Sequence, residues 1–310
     1  MLCTRFTSSF KSSDNIHDIA YYVYFPLGEM RGIVQISHGM CDYFKRYDEF
    51  AKFLAEHGFI VCGNDHLGHG SSVNNDDELG YFAEENGWQR VVEDLYTLTK
   101  IMKRSYADLP YFLFGHSMGS FMARAYCTKH GKALDGLILC GTSGGIKGLT
   151  ALMPVIDVMK KAYGDKYRSP MLKKLAFGAY NLRIKNSQSN YDWISRDTDI
   201  VDSYNNDKKC TFDFTVNGYD NLARVLWYVS HENWFRSFRK DLPVLLIAGD
   251  GDPVGSYGKG VKSVYDRLCR YSCEVQLKLY SQARHELLNE TNRNEVYNDI
   301  LNFLKEYSWI

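Results

Sequence analysis

Along the 310 residues, short aliphatic and β-branched runs alternate with stretches whose apolar residues recur every three or four positions. Ile19 to Phe25 and Gly32 to Ser37 are strand-length runs. From Tyr43 to His57, Tyr47, Phe50, Ala51 and Leu54 follow helical spacing, and Gly58 suits the C-terminal cap. Phe59 to Gly63 gives the next strand. Trp88, Val91, Val92, Leu95, Leu98 and Met102 line one face of a second helix. Tyr111 to Phe114 is a strand, Met118 to His130 a helix ended by Gly131, and Leu137 to Cys140 another strand. The pattern resumes with Leu242 to Ala248, a helix around Val261 to Leu268, the strand Val275 to Tyr280 and a closing helix through Val296, Ile300 and Leu304. Such alternation predicts an α/β fold, a mostly parallel sheet flanked by helices.

The rhythm breaks between about Gly144 and Arg236, which holds helical pieces but no strand run. An apolar run of Leu149, Leu152, Met153, Val155, Ile156, Val158 and Met159 opens it. Between Met159 and Lys185 eight bases (Lys160, Lys161, Lys166, Arg168, Lys173, Lys174, Arg183 and Lys185) then face one acid, Asp165. The domain reading is therefore a core of residues 1–143 and 236–310 interrupted by an inserted, mainly helical cap at 144–235. Apolar surface beside lysines also fits brief contact with an anionic membrane surface, although charge runs are more often plain solvated faces.

Composition narrows the partners. Lys+Arg and Asp+Glu balance at 37 each, so nothing draws the chain to a polyanion, and nucleic acid is excluded as a first expectation. No apolar run reaches membrane-spanning length. The polar Met1 to Lys11 stretch lacks the apolar core of a secretory signal. The expectation is a cytoplasmic protein, at most peripheral to a membrane, whose eight cysteines are free thiols. Cys269 and Cys273, four apart, are expected on one helix face without a redox or metal role.

The chemistry lies in Gly115-His116-Ser117-Met118-Gly119, directly after a strand and directly before a helix. A nucleophile elbow needs that setting: glycines permit a tight turn that lifts the serine hydroxyl above the sheet. Gly141-Thr142-Ser143-Gly144-Gly145 matches the same pattern, but the glycines behind it suit a flexible exit rather than a packed helix. A serine needs a base, and the base an orienting acid. Asp250 and Asp252 follow the Leu242 to Ala248 strand, and His285 follows the Val275 to Tyr280 strand, in the order serine, acid, histidine. One of the two acids is expected to be an ordinary turn residue. Met118 N–H and, in the His38-Gly39-Met40 loop, Met40 N–H are placed to stabilise an oxyanion. Gly39, Met40 and His116 beside them are the expected substrate contacts. The remaining histidines, His66 and His69 among them, lack metal-ligand spacing, so neither metal nor cofactor is expected.

The stretches HGMCDYFKRYDEF, NDHLGHGSS, GHSMG, GDGDPV and RHELLNE resemble the monoacylglycerol lipase and lysophospholipase-like branch of the α/β-hydrolase superfamily. The piece Tyr191 to Asp197 is similar to bacterial members. The resemblance implies the α/β-hydrolase fold with a cap after its sixth strand, a Ser117, Asp252 and His285 triad, and Met40 and Met118 as oxyanion donors. It selects Asp252 over Asp250, which spacing alone leaves open. Leu67 stands where the branch has arginine, which puts packing of that loop in question. The expected activity is carboxylic ester hydrolysis on a monoacylglycerol, lysophospholipid or shorter acyl ester, through an acyl-enzyme. Peptidases and thioesterases share the core motifs, and a non-catalytic domain holding an apolar ligand is the alternative outside catalysis.

Overall fold

A computed structural model describes residues 3–146 and 148–308. Eight strands form one sheet: β1 (Cys3–Lys11), β2 (Asp18–Pro26), β3 (Gly32–Ser37), β4 (Phe59–Asn64), β5 (Tyr111–His116), β6 (Gly136–Cys140), β7 (Val244–Gly249) and β8 (Val275–Tyr280). Their spatial order is β1-β2-β4-β3-β5-β6-β7-β8. The β1–β2 and β2–β4 pairs are antiparallel, and every other pair is parallel. This is the mostly parallel sheet that the alternating pattern predicts.

Helices α1 (Asp48–Glu56) and α10 (Arg293–Tyr307) cover one face. Helices α2 (Gly87–Ser105), α3 (Met118–His130) and α9 (Lys259–Arg270) cover the other. Side chains of a strand alternate between faces, and the two cores divide accordingly. Ile33, Ile60, Leu113, Leu137 and Leu246 join the α2–α3 side, while Val34, Val61, Phe114, Ile138 and Ile247 join the α1–α10 side. Both faces being buried explains why the central strands are continuous apolar runs.

Between β6 and β7 stand helices α4 (Leu149–Tyr163), α5 (Pro170–Phe177), α6 (Thr198–Asn206), α7 (Val216–Ser230) and α8 (Glu232–Ser237), with no strand among the described residues. They add a separate apolar cluster built on Trp193, Ile194, Val201, Tyr204 and Cys210.

Three differences from the sequence reading have physical causes. Strand β1 went unread because it is an edge strand whose residues after Cys3 are mostly polar and exposed. Helix α9 stops at Arg270, and Ser272 turns left-handed at φ 61°, so Cys269 is exposed on the helix while Cys273 is buried beyond it. Leu67 packs into the core at 1 % exposure, so its loop stays tightly packed without the arginine. All eight cysteines are free thiols.

Candidate active site

Strand β5 delivers the chain to Ser117, which sits at φ 52° and ψ −122° before α3 begins at Met118. For a residue with a Cβ this conformation is strained, and its surroundings impose it. A Cβ on Gly115 would lie 2.6 Å from the Gly119 carbonyl oxygen, and one on Gly119 would collide with the Ser37 carbonyl. Both glycines of the pentapeptide are therefore required by close approach. The competing Ser143 has no such setting. The chain leaves β6 through Gly141 at φ 61°, no helix starts before Leu149 among the described residues, and Ser143 Oγ accepts the Gly145 N–H at 3.3 Å.

Asp252 and His285 arrive from the ends of β7 and β8 and are almost wholly buried. His285 Nδ1 lies 2.9 Å from Asp252 Oδ2. A carboxylate only accepts, so Nδ1 carries a proton, and in the neutral ring the lone pair is then on Nε2. The other Asp252 oxygen accepts Val254 N–H at 2.8 Å. Asp250 is exposed and accepts Gln282 N–H at 2.6 Å, the turn role expected of one of the two acids. Gly141 seats the imidazole: a Cβ there would lie 3.0 Å from His285 Cε1. The His116 and Trp193 rings flank it with centroids at 4.8 and 5.1 Å. Ser117 and His285 line one cavity of about 1400 Å³, together with Gly39, Met40, His116 and Met118.

The loop carrying Met40 is fixed by His38. His38 Nδ1 lies 2.8 Å from Gly39 O, and His38 Nε2 accepts the His66 N–H at 2.8 Å. Gly39 O can only accept, so the His38 proton sits on Nδ1 and the ring is neutral. In a trans peptide the C=O and N–H point in opposite directions. Holding Gly39 O inward thus turns the Met40 N–H outward.

Beneath this lies a buried polar network. Arg46 donates to both oxygens of Glu286 at 2.7 Å and to Asp42 at 3.2 Å. Asp42 accepts Tyr47 Oη at 2.6 Å and Gly39 N–H at 3.2 Å, and Tyr47 Oη meets His116 Nδ1 at 3.2 Å. Burial pushes the Asp42 and Glu286 carboxyls up, but the Arg46 guanidinium, joined at Asp42 by His116, the Tyr47 hydroxyl and the Tyr43 N–H, outweighs it and holds both below their ordinary range. Burial, aided by His285, lowers His116 to about 4, so it is neutral near pH 7. Burial likewise holds His38 and His66 well below the usual range and His69 at about 4. Among the described residues no cluster of histidine, cysteine and acid side chains could hold a metal ion.

Sequence reasoning did not single out Gly141, Trp193, or the Arg46–Glu286 pair. Arg46, Trp193 and Glu286 all lie inside the quoted family stretches, the one signal that pointed to them.

The chain matches the family described as serine aminopeptidase, S33, over residues 28–292. It is similar to a monoacylglycerol lipase from Mycolicibacterium smegmatis, 28 % identical over 304 residues and 97 % of each chain. Among solved structures it is similar to a highly thermostable carboxyl esterase from Bacillus coagulans, in complex with glycerol. That pair is 34 % identical over 99 % of each chain, with a TM-score of 0.93. A lipase in an open form is 28 % identical over 98 % of this chain and 99 % of the other, with a TM-score of 0.91.

Proposed function

Because the chain belongs to the serine aminopeptidase S33 family of α/β-hydrolases, we propose that it is a serine hydrolase of carboxylic esters. The observation that carries this reading is the buried Asp252–His285 bond at 2.9 Å, whose His285 lines the same cavity as the strained Ser117. Ser117 Oγ attacks the acyl carbon while His285 Nε2 takes its proton. The Met40 and Met118 N–H groups receive the negative charge that develops on the carbonyl oxygen. His285 then returns the proton to the departing alcohol. Water, activated by the same imidazole, releases the acid from the acyl-enzyme. These steps use side chains and backbone alone.

Substrate class follows from the walls. Phe121, Leu152, Ile156, Leu222 and Leu226 make much of the lining apolar, which suits an acyl chain. Residues 144–235 act as the cap over that chain. The lipase and esterase named among the relatives support a monoacylglycerol, lysophospholipid or shorter ester. The family description raises an aminopeptidase, which must bind a free ammonium group. The lining carboxylates are Asp213 and Glu286. Glu286 is buried and bound through both oxygens by Arg46, and Asp213 already has Lys173 as its counter-charge at 2.5 Å. That favours the ester.

The test is turnover of a graded series of acyl esters, including monoacylglycerols and lysophospholipids, with fluorophosphonate labelling. Ser117→Ala should lower turnover by about three to six orders of magnitude and abolish labelling, and Ser143→Ala should do neither. Labelling at Ser143 with Ser117 spared, or no turnover of any ester, would overturn the reading.

A further inference from the structure

Arg124 is the largest fully buried side chain in the described protein, and no carboxylate lies within ion-pair distance of it among the described residues. A buried cation without a counter-charge is costly, and an apolar side chain of the same volume would fill the space at less cost. Burial, with the nearby Arg267, lowers its guanidinium to about 9. The contacts indicate what the charge is kept for. Arg124 donates to the Ser143 carbonyl at 2.9 Å and to the Val229 carbonyl, and reaches Thr142 Oγ1 at 3.5 Å. Its guanidinium lies over the Trp234 ring at 4.6 Å, while Trp234 Nε1 donates to the Arg124 carbonyl at 2.9 Å.

Those partners have one thing in common. Thr142 and Ser143 are where the chain leaves β6, and Val229 and Trp234 are where it comes back toward β7. Val229 is in the last turn of α7, whose unpaired carbonyls carry partial negative charge. The helix end therefore supplies the counter-charge. Arg267 takes the neighbouring Ser230 carbonyl at 3.0 Å but is balanced by Glu232 at 2.7 Å. Arg124 has no such acid. It stands two turns into α3, the helix that begins directly after Ser117.

We propose that Arg124 is a positioning residue that latches both ends of the 144–235 segment to the Ser117 helix, so that acyl-length preference depends on it. This rests on the ester-hydrolase reading and on that segment being the cap. An apolar residue at 124 could fill the volume, but it could not hold two carbonyls from segments far apart in the chain. The latch fixes where the cap's apolar wall stands relative to the nucleophile. Bond breaking at Ser117 needs no contact from it.

The experiment compares wild type with Arg124→Met and Arg124→Lys on p-nitrophenyl acetate and p-nitrophenyl dodecanoate, after circular dichroism shows each variant folded. In Arg124→Met, kcat on acetate should stay within twofold, and kcat/KM on dodecanoate should fall at least tenfold through KM. Arg124→Lys keeps the charge, but one ammonium cannot serve both carbonyls, so it should show the same split more weakly. Trypsin should also cut within 144–235 faster in both variants. Equal losses on the two esters, or no change on either, would overturn the latch alone. A wild type inactive on both esters and unlabelled by fluorophosphonate overturns the ester-hydrolase reading, and the latch with it.

Discussion

At His38 the partners of the ring, a carbonyl on one side and an N–H on the other, choose where its proton sits. Asparagine reproduces a donor at the Nδ1 position and phenylalanine does not. His38→Asn should therefore retain much of wild-type kcat, and His38→Phe should lose about tenfold or more at unchanged KM, since misplacing one oxyanion donor costs up to the 100- to 1000-fold of losing it. Equal kcat in the two variants would remove His38 from the oxyanion loop's support. Asp252→Asn should cost on the order of 10⁴-fold in kcat, because it disturbs the tautomer of His285. Asp250→Asn, which touches only an exposed turn, should cost almost nothing. Strand, turn and helix frame Ser117 in sequence and His285 follows the last strand, which is what made both stand out as candidates. Asp250 and Asp252 stand two residues apart in one turn, so local spacing could not rank them; the family resemblance chose Asp252, and the distance to His285 favours the same residue. The Arg46–Glu286 pair spans 240 positions and exists only after folding.

Strands buried on both faces were the readable elements, since their apolar runs stand out between helices of a different period. Strand β1 shows the limit: pairing with β2 through backbone bonds needs no apolar pattern. The exit of β6 shows another, because Gly141 looks like any loop glycine until His285 packs on it. Gly141→Ala would strain a left-handed residue and push the imidazole. The expected loss is roughly 100-fold in kcat, the order associated with a 1 Å misplacement, with slower fluorophosphonate labelling; unchanged kcat would show that the ring does not depend on this seat. In the 144–235 segment, Val155, Val158, Met171, Leu175 and Leu182 are exposed. Part of the basic run is already engaged, Lys160 with Asp220, Lys173 with Asp213, and Arg183 over Tyr257. Lys161 and Lys174, both exposed, are the bases best placed to meet a membrane. Lys161→Glu with Lys174→Glu should lower sedimentation with anionic vesicles several-fold and leave zwitterionic vesicles unaffected, each basic residue near such a surface contributing about 1 kcal/mol. Binding that ignores lipid charge would make the segment a pocket lid only. No described helix is long and apolar enough to cross a membrane.

Taken as a whole, the described residues include four buried imidazoles whose protonation is suppressed, and these should set the response to acid. His38 and His66 are held well below the ordinary histidine range and His69 and His116 at about 4, all by burial. His130, half-buried, leans the same way. The unfolded chain protonates these rings near pH 6.5 and the folded one does not, so between about 6.5 and 4 the unfolded state binds more protons. Stability present above that window is lost as pH falls through it, by up to about 1.4 kcal/mol per pH unit per histidine. Two carboxyls oppose this. Burial raises Asp94 to about 6 and raises Asp65, so each takes up its proton more readily in the folded state. Asp42 and Glu286, held low by Arg46, side with the histidines only once pH reaches the carboxylate range. Four fully buried histidines against two carboxyls leaves the histidines dominant, and the urea midpoint should fall steadily from pH 7 to pH 5. His69 isolates the cause. Its ring already lies among Phe82, Phe212 and Phe214, and its Nε2 has no hydrogen-bond partner. His69→Phe should fold, remove one proton from the uptake on unfolding, and make the fall with pH measurably shallower. A midpoint that stays level or rises on acidification, or a His69→Phe slope equal to wild type, would show that these histidines do not govern acid stability.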